Sequence, residues 1–410
     1  MFTLFVFLII LGLLVLSHEA GHFVAARKSG MKVYEFGFGF PPRAFGVRVL
    51  TKLPEEDDSK EVGLLKQKKP IKKYKFISGR GRVEDMPVES GWEGGTIYSM
   101  NWFPLGGFVR IKGEEGQESG PDSFVSKSFT RKAIVLVSGV AMNVLLAAVI
   151  FSIGFMVGLP QALDGVDNSL MVKDRKLQIM QILPNKPAES AGLKVGDSFL
   201  KIGEIVSPTL EQMQEYVNAN KDSEITFQIE RGSELIEKTI KPEIYIDTGK
   251  GGIGVAISEV GMVKYPWHKA IYNGFLMTFI YLKEILIAFY FIIKGLFAGN
   301  GAGAAVSGPI GIAVMTGQIA KLGIPYLLNF TAILSLNLAI INILPLPALD
   351  GGRLLFLAFG RIFKRDVPLK FEQLAHTLGF LALMALVIVI TVKDISRFSN
   401  VFTGLFNKLF

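Results

Sequence analysis

His18, Glu19 and His22 lie in the run His18-Glu19-Ala20-Gly21-His22, a spacing that on a helix stacks the two imidazoles one turn apart on one face. Two such rings can share a single ion, and Glu19 then sits beside the ion, not on it. Its chemistry would be that of a general base, taking a proton from an attacking water and passing it to a leaving amine. Two imidazoles leave an open metal short of one protein ligand, and Asp350 is the outstanding candidate. It ends the run Asn342-Ile343-Leu344-Pro345-Leu346-Pro347-Ala348-Leu349-Asp350 and precedes Gly351-Gly352. The prolines prevent a regular helix there, and the glycines permit close backbone approach. The plainer alternatives are a chance five-residue pattern and an aspartate that caps a helix. Two histidines and one carboxylate suit Zn2+ and would also accept iron. The chain has no cysteine, which excludes thiolate metal sites, disulfides and cysteine nucleophiles. Of its four histidines, His268 and His376 stand alone near membrane boundaries and read as interfacial residues.

The elements that must position these groups are apolar. Half of the 410 residues are hydrophobic, so a membrane class is the first expectation. Phe2–Leu16 is an unbroken apolar run that resumes after Ser17-His18-Glu19, giving a first span over 1–26 with the polar cluster in its second half. A cleaved signal peptide fits poorly, since no basic segment precedes the apolar run. Ionisable groups inside a span are costly unless paired or coordinated, and so mark function. Further spans are expected over 133–159, where Gly139, Ala141 and Ala147 allow close helix approach, over 326–352 and over 373–393. Residues 271–297 are also apolar but carry Lys283, Glu284 and Lys294, as expected of an amphipathic interfacial helix within a linker over 262–325.

The formal charge of +8 gathers beside apolar segments, which fits the positive-inside rule better than nucleic-acid binding. Regions 27–132 and 353–372 are both basic and are therefore expected in the cytoplasm. Four crossings satisfy both, with the termini, the 394–410 tail and the middle domain outside; a fifth would invert the second basic loop. His18, His22 and Asp350 then all fall toward the cytoplasmic side. Residues 165–247 alternate short β-like runs with one helical run, 209–219, and form a separate small domain. Residues 52–95, rich in lysine and of mixed charge, read as a solvated and mobile insertion. Gly249–Gly254 satisfies G-x-G-x-x-G outside any βαβ context and reads as a linker, and 299–303 as a flexible joint. Asp57-Asp58 and Glu114-Glu115 read as solvated surface.

The H-E-x-x-H of the first span, followed by the N-x-x-P-x-P-x-L-D-G-G run of Asn342 to Gly352, resembles the site-2 proteases, intramembrane zinc metalloproteases, in their bacterial PDZ-containing branch. The resemblance covers nearly the whole chain. It implies His18, His22 and Asp350 as ligands of Zn2+, Glu19 as general base and Asn342 as a substrate-holding residue. Tyr34–Phe40 and Pro104–Arg110 resemble the family's re-entrant β loop, which implies that Gly106 and Gly107 belong to an edge able to pair with an unwound substrate strand. Ser138-Gly139 through Asn143 and Val306–Gly311 resemble further family segments, whereas 52–95 is longer than the family has there. Lys186–Asp197 resembles a PDZ-domain stretch, for which peptide capture and a size filter are both open, the filter being favoured.

The fold class expected is thus an α-helical multi-pass membrane protein of four transmembrane helices, with an inserted PDZ-like α+β domain and a membrane-associated β element. By resemblance the reaction is hydrolysis of single-pass membrane proteins, such as anti-sigma factors already trimmed by an upstream site-1-type protease, or of remnant signal peptides. The bacterial inner membrane is the implied location. A catalytically inactive scaffold holding clients through the PDZ-like domain is the alternative, and an inverted-repeat transporter is disfavoured.

Overall fold

The structure, a computed structural model, describes residues 2–52, 71–79, 88, 90–114, 116, 118–163, 171–183, 185–232, 234–245, 249–297, 307–365 and 367–397. In chain order the elements are α1 (Phe2–Lys28), β1 (Val33–Lys52), β2 (Ile71–Ile77), β3 (Glu93–Ile111), α2 (Phe129–Val157), β4 (Leu159–Ala162), β5 (Met171–Ile182), α3 (Pro187–Ser190), β6 (Ser198–Ile202), β7 (Ile205–Val206) and α4 (Leu210–Ala219). There follow β8 (Ile225–Arg231), β9 (Glu234–Ile240), β10 (Glu243–Ile244), β11 (Gly251–Gly252), β12 (Val255–Lys264), α5 (Trp267–Phe297), α6 (Pro309–Leu322), α7 (Ile324–Ile343), α8 (Asp350–Phe363) and α9 (Leu369–Arg397). Contacts divide them into two compact units. One comprises Met1–Ala147, Tyr281–Met315 and Ile333–Phe410, the other Ala148–Ile280 and Thr316–Ala332.

In the first unit α1 ends on Arg27 and Lys28, cations that suit the negative end of a helix. Gly30, at φ 70°, turns the chain, with the Met31 amide donating to the Ala26 carbonyl. The chain then folds back along the helix as β1. Ala26, Met31, Val33, Ile111 and Val135 form a buried cluster at this corner. Each of β1 and β3 is bent into two arms, and the arms interlock: Phe36 pairs with Val109 on one side and with Tyr98 on the other. β2 pairs antiparallel with the second arm of β1, from Gly46↔Ile77 to Lys52↔Ile71. Across the sheet the order is therefore the second arm of β3, the first of β1, the first of β3, the second of β1, then β2. Arg43 and Glu35, both buried, make a bidentate pair at 2.9 and 2.7 Å, the way a charge is tolerated at such depth. Residues 71–77, read from sequence as part of a mobile insertion, are a strand of this sheet; Asp57-Asp58 lie outside the described residues.

Among the described residues five helices, α1, α2, α5, α7 and α9, have the length and composition to cross a membrane. The sequence pattern predicts four, with 271–297 at the interface; by length and composition alone α5 qualifies as well. α7 stops at Ile343, ahead of the prolines, and Asp350 opens α8. The basic stretch read as a cytoplasmic loop over 353–372 is thus largely helical, in α8 and the start of α9.

The second unit is a sheet in the order β4-β12-β5-β6-β8-β9, with β7 on β6. Strand alternation buries Ile225, Phe227 and Ile229 of β8 against Leu177, Ile179, Phe199 and Met213. α4 starts at a capping box of Thr209 and Gln212. Buried Asp197 takes a bidentate bond from Arg231 at 2.7 Å, which raises the arginine's pKa. Strands β4 and β12 carry this sheet beyond 165–247, and the glycine run read as a linker forms one side of the β10–β11 hairpin. The 299–303 joint lies outside the described residues.

Candidate metal centre

The helical period brings His18 and His22 onto one face of α1, where both are buried. Asp350 reaches them from 328 or more residues downstream: its Oδ2 lies 2.9 Å from His18 Nε2 and 3.2 Å from His22 Nε2. The two Nε2 atoms are 3.1 Å apart. Three acceptor-type atoms in such a triangle repel one another unless a cation or protons lie among them. Tetrahedral zinc with bonds of 2.0–2.1 Å separates its ligands by roughly 3.3 Å, so the triangle fits within a few tenths of an ångström. His22 Nδ1 lies 2.8 Å from the Val135 carbonyl, a bond that fixes the tautomer with Nε2 toward the centre. The donor set, its spacing and this outer contact together fit a zinc ion held by His18, His22 and Asp350.

Glycines bring the backbones this close. A Cβ on Gly139 of α2 would lie 2.4 Å from His22 Nε2 and 2.7 Å from His18 Cε1, so the α2 backbone itself forms one wall. Reciprocally, a Cβ on Gly21 would meet the Ser138 carbonyl oxygen at 2.3 Å. On the other side, Gly351 packs under the Ile343 and Leu344 carbonyls and Gly352 under that of Leu346, folding the proline turn tightly over the start of α8. Asp350 thereby occupies the first helical position, where a carboxylate is favoured.

Glu19 faces the sheet: its Cγ lies 3.4 Å from where a Gly107 Cβ would be. Gly107 and Gly106, the latter at φ 89°, belong to the outer arm of β3, so the residues read as a substrate edge border Glu19. Asn342 Nδ2 lies 3.4 Å from His18 Nε2, placing this side chain against the metal centre. Arg353 pairs with Glu114, tying the first turn of α8 to the end of β3; Glu114, read as surface, is therefore a partner of the site's scaffold. His376, also read as interfacial, accepts the Ala348 amide on Nδ1 at 2.8 Å and so supports a residue held at φ 77° two positions before Asp350. A lone histidine on an apolar helix gives no sequence signal of such a contact. His268 is not in the cluster.

A model of peptidase family M50 matches residues 6–52 and 82–386. The zinc metalloprotease RasP of Geobacillus kaustophilus is 31% identical over 432 aligned positions, 96% of this chain and 97% of that protein. The regulator of sigma-W protease RasP of Bacillus subtilis is 30% identical over 96% of this chain and 98% of its own length. The crystal structure of the PDZ domain of an SdrC-like protein from Listeria innocua aligns with 20% of this chain and 92% of its own at 19% identity, with a TM-score of 0.19.

Proposed function

The chain belongs to peptidase family M50, and from that premise we propose that His18, His22 and Asp350 hold the zinc ion, that Glu19 is the general base and that Asn342 and the Gly106–Gly107 edge hold the substrate. The protein is an intramembrane zinc metalloprotease of regulated intramembrane proteolysis. The ligand assignment is supported by one observation above the rest: the three polar atoms within 3.2 Å of one another, drawn from opposite ends of the chain.

A zinc ion held by His18, His22 and Asp350 would supply Lewis acidity to the scissile carbonyl and would lower the pKa of water toward about 7. Glu19 takes the proton of the attacking water and gives it to the leaving amine. An extended substrate segment pairs with the outer arm of β3 through main-chain hydrogen bonds, which brings its carbonyl past Glu19. Helical substrates hide those amides, so helix-breaking residues near the cut favour cleavage. Asn342 donates to the unwound segment from the metal side.

The substrates are single-pass membrane proteins of the anti-sigma type or remnant signal peptides, reached after an upstream protease has trimmed them; the sigma-W title of the Bacillus relative supports the first class. The location is the bacterial inner membrane, with four spans, an extra-cytoplasmic PDZ-like domain and the metal toward the cytoplasm. A cleft of about 560 Å³ between α4 and 250–257, lined by Met213, Val217, Tyr245, Ile253 and Ile257, supports peptide capture by that domain alongside filtering by size. Glu19→Gln separates protease from scaffold: with a tagged single-pass substrate, cleavage falls by about 10²–10⁴-fold while zinc content is kept. Equal cleavage by wild type and variant contradicts the assignment of the base.

A further inference from the structure

We propose that β2 is an interfacial anchor that docks the re-entrant sheet on anionic lipid headgroups. The strand lies in the 53–81 interval, between the two segments that the family model matches. It also lies at the edge opposite the Gly106–Gly107 arm, away from the metal.

Its composition is Ile71-Lys72-Lys73-Tyr74-Lys75-Phe76-Ile77, and every residue up to Phe76 is exposed. Tyr74 and Phe76 keep 67% and 68% of their surface open, large apolar areas that a water-facing edge strand would not normally carry. Phe76 stacks on Phe45, itself exposed, at 6.2 Å between centroids and 9° between planes, so the two rings form one apolar face.

Register fixes the depth of this face. Lys75, Arg48, Ile97 and Glu35 stand in one row across the sheet. Two residues along from Glu35, Val33 packs with Ala26, and Arg27 and Lys28 follow as the basic end of the first span. The row through Lys73 and Leu50 is shifted by the same two residues, which puts Lys73 level with that basic end. In the opposite direction the Phe38 ring packs on Gly12, about 21 Å of helix above Ala26. The sheet therefore rises along α1, with Phe76 and Ile77 on its buried-depth side and Lys72, Lys73 and Lys75 around the headgroup plane. Aromatic rings just inside and lysines at the phosphates form the usual interfacial arrangement. Charge complementarity selects the anionic bilayer surface as the occupant.

Because the chain has no cysteine, Ser78→Cys in the full-length protein gives a single spin-label site beside Phe76, and Glu204→Cys, 98% exposed, gives a water-facing reference. Collisions with oxygen and with a water-soluble nickel chelate are compared in nanodiscs of phosphatidylcholine alone and of equal parts phosphatidylcholine and phosphatidylglycerol. The Ser78→Cys label is expected to be shielded from nickel, more so with phosphatidylglycerol. K72Q/K73Q/K75Q should abolish the lipid dependence, at about fivefold per lysine in the docked-to-undocked ratio and roughly 10²-fold for all three. The proposal is overturned if the label matches the Glu204→Cys reference in both lipids, or if the triple variant leaves shielding unchanged. Shielding that requires several chains per disc, or a substrate with an acidic tail, also overturns it, in favour of a second copy or of that tail. None of these readouts uses proteolysis, so failure here is distinct from failure of the protease assignment.

Discussion

Replacing Gly139 by alanine adds one methyl group where α2 forms the wall of the proposed metal centre. The new Cβ would sit 2.4 Å from His22 Nε2, 2.7 Å from His18 Cε1 and 2.9 Å from His18 Nε2. Carbon contacts settle near 3.5 Å, so about 1 Å of displacement is required. Neither partner can supply it freely. The helices are already in backbone contact at Gly21 and Ser138, and His22 is tied through Nδ1 to the Val135 carbonyl of α2 itself. The rings must turn away from the point they share. Overpacking of this kind costs about 1–3 kcal/mol of stability. A misplacement of about 1 Å in the reacting constellation costs on the order of 10²-fold in rate, and disturbed orientation of a ligand costs about 10–100-fold in metal affinity. The assay is zinc content by mass spectrometry after dialysis against a weak chelator, with cleavage of a tagged membrane substrate in parallel. Alanine at Val140, the next buried position of α2, is the control, because it removes packing where Gly139→Ala adds it. Wild-type zinc retention and cleavage by Gly139→Ala would refute the packing argument.

Two further perturbations test the supports of the site. His376→Ala strands the Ala348 amide; cleavage should fall roughly 10-fold or more with little change in substrate KM, and His376→Asn should recover part of the rate, as read by steady-state kinetics. Arg43→Met leaves Glu35 buried without its partner and should cost about 3–5 kcal/mol in thermal unfolding, most of it regained in the double variant Glu35→Leu/Arg43→Met.

The proposed metal triad is legible in the sequence because its signal is local twice over. The i, i+4 histidines need only a helix, and Asp350 is marked by prolines and glycines that allow few backbone paths. The glycine at 139 is half legible: a small residue announces close helix approach, but not that the neighbours are the imidazoles. His376 and Glu114 are illegible because each acts through a partner far away in sequence, an amide in one case and Arg353 in the other. β2 as a strand is illegible for a different reason. Three lysines in seven residues read as a solvated segment, and pairing with Gly46–Lys52 is a long-range contact that composition does not encode. α8 is hard to see in the sequence because Arg353, Arg361 and the glycine pair obscure an amphipathic helical run.

Zinc stoichiometry of the purified full-length protein, wild type beside Asp350→Ala, tests the shared metal centre most directly. The geometry predicts about one zinc per wild-type chain and loss of most of it in the variant, since two imidazoles alone make an incomplete site. Equal zinc in both proteins, or none in either after purification without chelator, would contradict a site built from the first helix and Asp350.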